Sequence, residues 1–297
     1  MIKRTIDISE QAYLHLKNRQ LLVEKQGETV AKIAIEDLGI LILQNPAIVI
    51  SQAAITQCQL NNVAIVFCDE RHLPVSIMLP LWTGHSTHTK VLREQLLVTE
   101  PTRKRLWQKI VKFKIAEQAL TLRQIGVASE KLVRLLGSVK SGDPSNCEAQ
   151  AAREYWPLLM GKEFRRDPNG EGINSLLNYG YAVIRAMVAR GLVGTGLHPA
   201  IGLHHKNQYN GLCLADDVME PFRPWIDWEV RRLMDEGETL EVNKETKKKL
   251  LEVLVKEVVY EDRKMPLMVS VHNLVAGLKV ALKGKEQQLI YPRRTFP

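Results

Sequence analysis

Through the first eighty positions apolar residues alternate with polar ones in short runs, and beyond Ser86 they recur at every third or fourth position. The alternation predicts strands over 4–9, 21–25, 29–34, 39–43 and 63–68, rich in Ile, Val, Leu and Thr, with 48–50 continuing the pattern. Polar turns such as Gln26-Gly27-Glu28 separate them. Ser51 caps a segment, SQAAITQCQLNN, whose spacing predicts one short helix. Together these features predict a small β-rich domain carrying a single helix.

The longer period opens with TKVLREQLLVTEPTRKRLWQKIVKFKIAEQALTLRQIG, which reads as two amphipathic helices split near Pro101. Leu106, Ile110, Phe113 and Ala116 mark its apolar face, with Lys and Arg opposite. Helices punctuated by Gly and Pro continue from there, among them an amphipathic helix over 244–261, before an extended end, YPRRTFP. The stretch LWTGHSTH over 81–88 is the expected junction, dividing the chain into 1–83 and 84–297.

Composition places this pattern in an ordinary soluble class: 297 residues are 45% hydrophobic and 25% charged. The opening residues are polar rather than a charged end followed by an apolar run, and no stretch approaches the roughly 18 apolar residues of a membrane span. The expectation is a cytoplasmic protein without a membrane partner. Cys58, Cys68, Cys147 and Cys213 form no CxxC pair, which argues against a zinc site or a disulfide framework and for buried free thiols.

Charge is distributed unevenly. Residues 1–83 hold 7 Lys/Arg against 8 Asp/Glu, whereas 84–297 hold 34 against 25, and residues 88–140 alone carry 12 basic and 4 acidic residues. A concentrated basic helical face points to a polyanion, most simply nucleic acid, against the plainer alternative of a solvated helix surface.

The richest candidate chemistry lies in GLHHKNQYNGLCLADDVMEPFRPWID, residues 202–227. Asp217 and Glu220, three residues apart, are expected on one helix face, where both carboxylates could bind one cation, with His205 as a third ligand. The plainer alternatives are an exposed acid pair and a capped histidine. Leu212, Leu214, Val218 and Met219 crowd the acids toward a packed face, where carboxylates need partners, and a hard divalent cation, Mg²⁺ or Mn²⁺, suits two carboxylates and an imidazole better than zinc. Pro221 and Pro224 break the helix, and Arg223 is expected to pair with Asp227 one turn on, the alternative being a phosphate. Upstream, Ser145 and Glu148 have the spacing of a capping box. Asn178, Tyr179 and Tyr181 either line a pocket or pack helices together.

Several long motifs then carry a resemblance over nearly the whole chain: CDERHLP at 68–74, KIAEQ at 114–118, DPSNCEAQAAREYW at 143–156, INSLLNYGYAVI at 173–184, HHKNQYN and LADDVMEPFRPWID. In that order they resemble the CRISPR-associated integrase family, the larger of the two universal adaptation proteins, most closely the form accompanying type II systems. The resemblance implies an α+β fold, a small β-rich, sandwich-like N-terminal domain used for dimerisation followed by a larger all-α helical catalytic and DNA-binding domain. It implies a metal site of Glu148, His205 and Glu220, with Asp217 as an auxiliary acid and His204 the neighbour most easily mistaken for the ligand. Basic residues of 88–140 then acquire a role on DNA phosphates, with Lys90, Arg93, Arg103 and Lys109 taken as a group.

The implied reaction is insertion of short prespacer DNA into a CRISPR array by attack of a 3′-hydroxyl on a repeat phosphate, at a Mg²⁺ or Mn²⁺ centre. The implied partners are double-stranded DNA, a second copy of the chain, and a small ferredoxin-like second adaptation protein in a hetero-hexamer-like complex, with the type II effector nuclease as a further partner. Two other readings stay open: a hydrolytic metal-dependent nuclease acting on branched DNA, and a non-catalytic DNA-binding scaffold.

Overall fold

Two-residue turns set the register of the first strands in the computed structural model, which describes residues 3–80 and 86–295. Strands β1 (Arg4–Ile8), β2 (Tyr13–Lys17), β3 (Gln20–Lys25), β4 (Glu28–Ala34), β5 (Leu38–Leu43), β6 (Val49–Ile50), β7 (Ala64–Cys68) and β8 (Pro74–Met78) surround one helix, α1 (Gln52–Leu60). Asn18-Arg19 and Gln26-Gly27 join β2 to β3 and β3 to β4 with both central residues at positive φ, the turn whose twist matches paired strands. The strands form two four-stranded sheets, ordered β4-β3-β2-β6 and β1-β5-β7-β8. As expected, Ser51 caps α1, accepting the Ala54 N–H at 3.3 Å. The periodicity missed β2, whose five residues carry His15 between Leu14 and Leu16, and β8, which starts on a proline at the sheet edge.

β5 explains how this part joins the rest. All six of its residues are buried, because it is covered on both faces. Leu41 and Leu43 pack with Leu14, Leu21 and Val23 of the second sheet, whereas Ile40 and Ile42 point into the helical core. Polar groups cross the same seam: Gln44 donates to Asp7 at 2.5 Å and accepts from Lys247, and its amide reaches the Tyr179 hydroxyl. Of the expected junction, residues 81–85 lie outside the described residues.

The second part contains α2 (His88–Leu96), α3 (Glu100–Gln124), α4 (Glu130–Ser138), α5 (Cys147–Met160), α6 (Ile173–Gly194), α7 (Cys213–Met219), α8 (Arg223–Asp235), α9 (Lys244–Glu252) and α10 (Leu267–Ala281). Pro101 sits in the first turn of α3, where its missing N–H costs nothing, so the expected split is correct. α3 itself departs from the amphipathic expectation: its buried residues include Lys114 and Gln118 as well as Leu106, Trp107 and Ile110.

The all-α expectation for this part fails. Strands β9 (Glu257–Tyr260), β10 (Arg263–Pro266) and β11 (Arg293–Arg294) form an antiparallel sheet ordered β10-β9-β11. The helix expected over 244–261 stops at Glu252, and after one tight 3₁₀ turn the β-branched pair Val258-Val259 enters β9. No described helix is long and apolar enough to cross a membrane.

α6 and α8 meet at Gly180, where an added Cβ would lie 2.4 Å from Ile226 Cγ2. Gly180→Ala is therefore expected to destabilise the protein by about 1–3 kcal/mol through overpacking, read as a lower midpoint in urea denaturation.

Candidate active site

Asp143 caps α5 in place of Glu148. Its carboxylate accepts the backbone N–H groups of Cys147 at 2.9 Å and Glu148 at 3.0 Å, while Asn146, in the left-handed conformation, accepts that of Ala149. With the start of α5 satisfied in this way, the capping box expected from Ser145 and Glu148 does not form. The Glu148 side chain reaches instead to α3, where its Oε1 lies 2.5 Å from Lys114 Nζ.

Lys114 is the hub that sequence reasoning missed. Its ammonium also stands 2.5 Å from Glu220 Oε2, so two carboxylates from distant elements converge on one cationic position. Burial would discharge this lysine, but Glu220 and Glu148 more than offset that and raise its pKa. The signal was present: Lys114 follows Leu106 and Ile110 at helical spacing on the apolar stripe, an odd place for an unpaired charge.

Glu220 opens the 3₁₀ turn Glu220–Phe222 that follows α7. Arg223 Nε donates to its Oε1 at 2.8 Å. Burial pushes Glu220 up, yet Arg223 and Lys114 outweigh it and hold the carboxyl at about 2. Arg223 thus pairs back to Glu220 and not forward to Asp227, contrary to expectation. Asp227 accepts from the hydroxyls of Tyr155, at 3.0 Å, and Tyr181. Tyr181 lines a cavity of about 170 Å³ with Lys114, Gln118, Glu220, Arg223 and Asp227, while Tyr179 packs at the seam with the strands.

Desolvation pushes the Asp227 carboxyl up to about 7, against the tyrosine hydrogen bonds. Between its ordinary value of 3.8 and about 7 the folded protein holds a proton that the unfolded chain has released, so stability falls as pH rises through that window. Asp227→Asn is expected to flatten this decline, measured by urea unfolding at several pH values across it.

Asp217, three residues from Glu220, faces elsewhere. Fully buried, it accepts the backbone N–H groups of Leu203 at 2.6 Å, His204 at 3.0 Å and His205 at 3.2 Å, and His205 Nδ1 at 2.6 Å. Its hydrogen bond raises the His205 pKa against the opposing effect of burial. The structure therefore separates the two acids expected on one cation: Asp217 orients the histidine, and Glu220 meets Lys114.

Of the expected DNA-contacting group, Lys90 and Arg93 are exposed on α2 and Arg103 is half-buried on α3. Lys109 donates to the Glu286 backbone carbonyl at 2.8 Å, and burial lowers its pKa, so this side chain is committed to the fold.

Do these residues fit a divalent cation? Glu220 Oε2 is buried, and the Lys114 ammonium 2.5 Å away is its positive partner. Two carboxylates drawn to one positive charge are hard anionic donors of the kind that suit a hard cation. His205, with Nδ1 on Asp217, has the carboxylate-oriented geometry of a metal-ligating histidine and would ligate through Nε2. Among the described residues, however, no three His, Cys, Asp or Glu side chains are gathered as a ready cluster. Lys114 stands between the two carboxylates.

A family model described as CRISPR associated protein Cas1 matches residues 8–260. A CRISPR-associated endonuclease Cas1 of Neisseria meningitidis serogroup C (strain 8013) is 34% identical over 296 residues, 98% of this chain and 96% of that protein. Among solved structures, a casposase bound to integration product superposes with a TM-score of 0.77 at 20% identity, over 96% of this chain and 91% of its own. A Cas6-RT-Cas1–Cas2 complex gives 0.78 at 18% identity, over 99% of this chain and 36% of the other.

Proposed function

The chain belongs to the Cas1 family of CRISPR-associated proteins, and from that membership we propose that it is a CRISPR adaptation nuclease/integrase that joins prespacer DNA to the repeat. The observation that carries the reading is the convergence of Glu148 and Glu220 on a single cationic position, with His205 oriented by the buried Asp217 carboxylate and within electrostatic reach of Glu220. Surface carboxylates seldom hold such an arrangement, and buried ones need a positive partner.

Glu148, Glu220 and His205 Nε2 would hold Mg²⁺ or Mn²⁺, which when bound supplies Lewis-acid polarisation of the attacked phosphoryl group. Arg223 fixes Glu220 by its Oε1, which keeps Oε2 toward the centre. Asp217 fixes the tautomer and aim of His205. Lys90 and Arg93, exposed on α2, neutralise DNA phosphates and set the strand's register without reading its sequence. The 3′-hydroxyl of the donor attacks a repeat phosphate, and one phosphodiester replaces another, so no triphosphate is consumed. The sandwich-like strand-rich region is assigned to a homodimer contact, and a Cas2-type companion completes the assembly, by analogy with the solved Cas6-RT-Cas1–Cas2 complex.

The protein, its companion, a 3′-hydroxyl duplex, a repeat-bearing plasmid and Mn²⁺ are expected to yield joined products. His205→Ala is expected to abolish them, and joining by that variant at the parental rate would remove His205 from the site. The relative's designation as an endonuclease keeps hydrolysis as a second reading. Blocking the donor 3′ ends decides between them, because joining needs that hydroxyl and water-driven cleavage does not.

A further inference from the structure

His204 takes no part in the chemistry above, yet it is among the most firmly placed rings near the centre. Its backbone N–H is held by the buried Asp217 carboxylate at 3.0 Å. Its imidazole lies flat on the Trp107 indole, with ring centroids 4.2 Å apart and planes 2° from parallel. Trp107 is only 2% exposed, so the pedestal is part of the α3 core, whereas His204 is exposed. The His205 ring meets both edge-on, 5.9 Å from Trp107 and 5.7 Å from His204.

The chain that follows is anchored at its far end. Asp216 accepts from Asn210 Nδ2 at 2.6 Å and is clamped by Arg185 at 2.6 and 2.8 Å. Between these anchors Lys206, Asn207, Gln208 and Tyr209 are exposed, and Tyr209, at 89%, is the most exposed large apolar side chain among the described residues. An exposed ring stacked on a buried indole, followed by a lysine and a bare tyrosine, has the chemistry of a surface for unpaired nucleotides. Bases stack on such rings while cations follow the backbone.

We propose that His204 is a stacking platform for one unpaired nucleobase of the donor DNA, next to the phosphate chemistry at His205. This deepens the DNA-joining reading and rests on it for the identity of the ligand. Merely covering Trp107 would need only an aliphatic side chain, whereas a stacked base needs a flat ring held in a fixed plane.

The test uses the full chain with its companion and donors ending in a short unpaired 3′ segment, either with normal bases or with one abasic position. His204→Ala is expected to lower joining of the normal donor about tenfold, a typical worth for one stacked base, with the loss in donor KM. It should leave joining of the abasic donor and the thermal midpoint unchanged, and His204→Phe should restore the normal donor. A second arm needs no joining: 2-aminopurine in the unpaired segment, bound without metal, should be quenched by the parent and not by His204→Leu, which still covers Trp107. Equal quenching by parent and His204→Leu overturns the platform, as does an equal loss of joining on normal and abasic donors. Quenching by the parent without any joining would instead sink the integrase reading and leave the platform standing.

Discussion

Glu148→Gln is expected to reduce DNA joining by at least about a thousandfold, the worth of several kcal/mol of metal-assisted charge stabilisation at the transition state. The amide keeps the shape of the side chain but removes a negative ligand. This position separates activity from folding better than Glu220 does: Glu148 is the more open carboxylate of the pair, 26% against 6% exposed, and without it Lys114 still has Glu220 and Glu220 still has Arg223. The thermal midpoint should therefore stay close to the parental value while single-turnover joining collapses. Joining within tenfold of the parent would mean that Glu148 is only a structural partner of Lys114.

Lys114→Met carries the largest expected effect on stability, a loss of about 3–5 kcal/mol, because it leaves two carboxylates facing each other without the cation between them. Methionine conserves most of the stem's packing, so the loss reports the charge. The second half of the expectation concerns the metal. If the carboxylate pair is a cation site, Mg²⁺ or Mn²⁺ should raise the thermal midpoint of Lys114→Met well above any shift seen for the parent, since a ligand that binds only the folded form stabilises it. A variant that loses stability and gains nothing from either ion would show that Lys114 is a permanent structural charge and not a placeholder.

Local periodicity carried most of the strand-rich region. Ile40, Ile42, Leu41 and Leu43 alternate between two cores, and the turn at Gln26-Gly27 sits where the polar residues interrupt the pattern. Periodicity failed where an element is short or where two patterns overlap. β2 offers two leucines only, and the run from Lys244 to Tyr260 keeps a helical look after the helix has ended at Glu252. β9 pairs with β10 through the two-residue turn Glu261-Asp262, but its other partner, β11, lies some thirty residues further on, so its local strand signal is short.

The candidate site was legible in its parts and not in its assembly. His205 and the acids 217 and 220 stood together in the sequence, and the ordered motifs pointed to Glu148. Helical spacing made Asp217 and Glu220 equivalent, and made Glu148 a cap; both inferences treat a side chain as belonging to its own helix.

Residue order and type alone determined the succession of a strand-rich region and a largely helical one, the split at Pro101, the cap at Ser51 and the identity of the acids and imidazole in the candidate site. These depend on interactions within a few residues, which spacing encodes directly. Only the tertiary structure decided that Asp143 would cap α5 and release Glu148, that Lys114 would lie between Glu148 and Glu220, and that Asp217 would serve the backbone of residues 203–205 and leave Glu220 to the centre. Buried charge requires a partner from whichever element packs against it, and that choice is made by the packing of α3, α5 and the 3₁₀ turn after α7, not by neighbours along the chain.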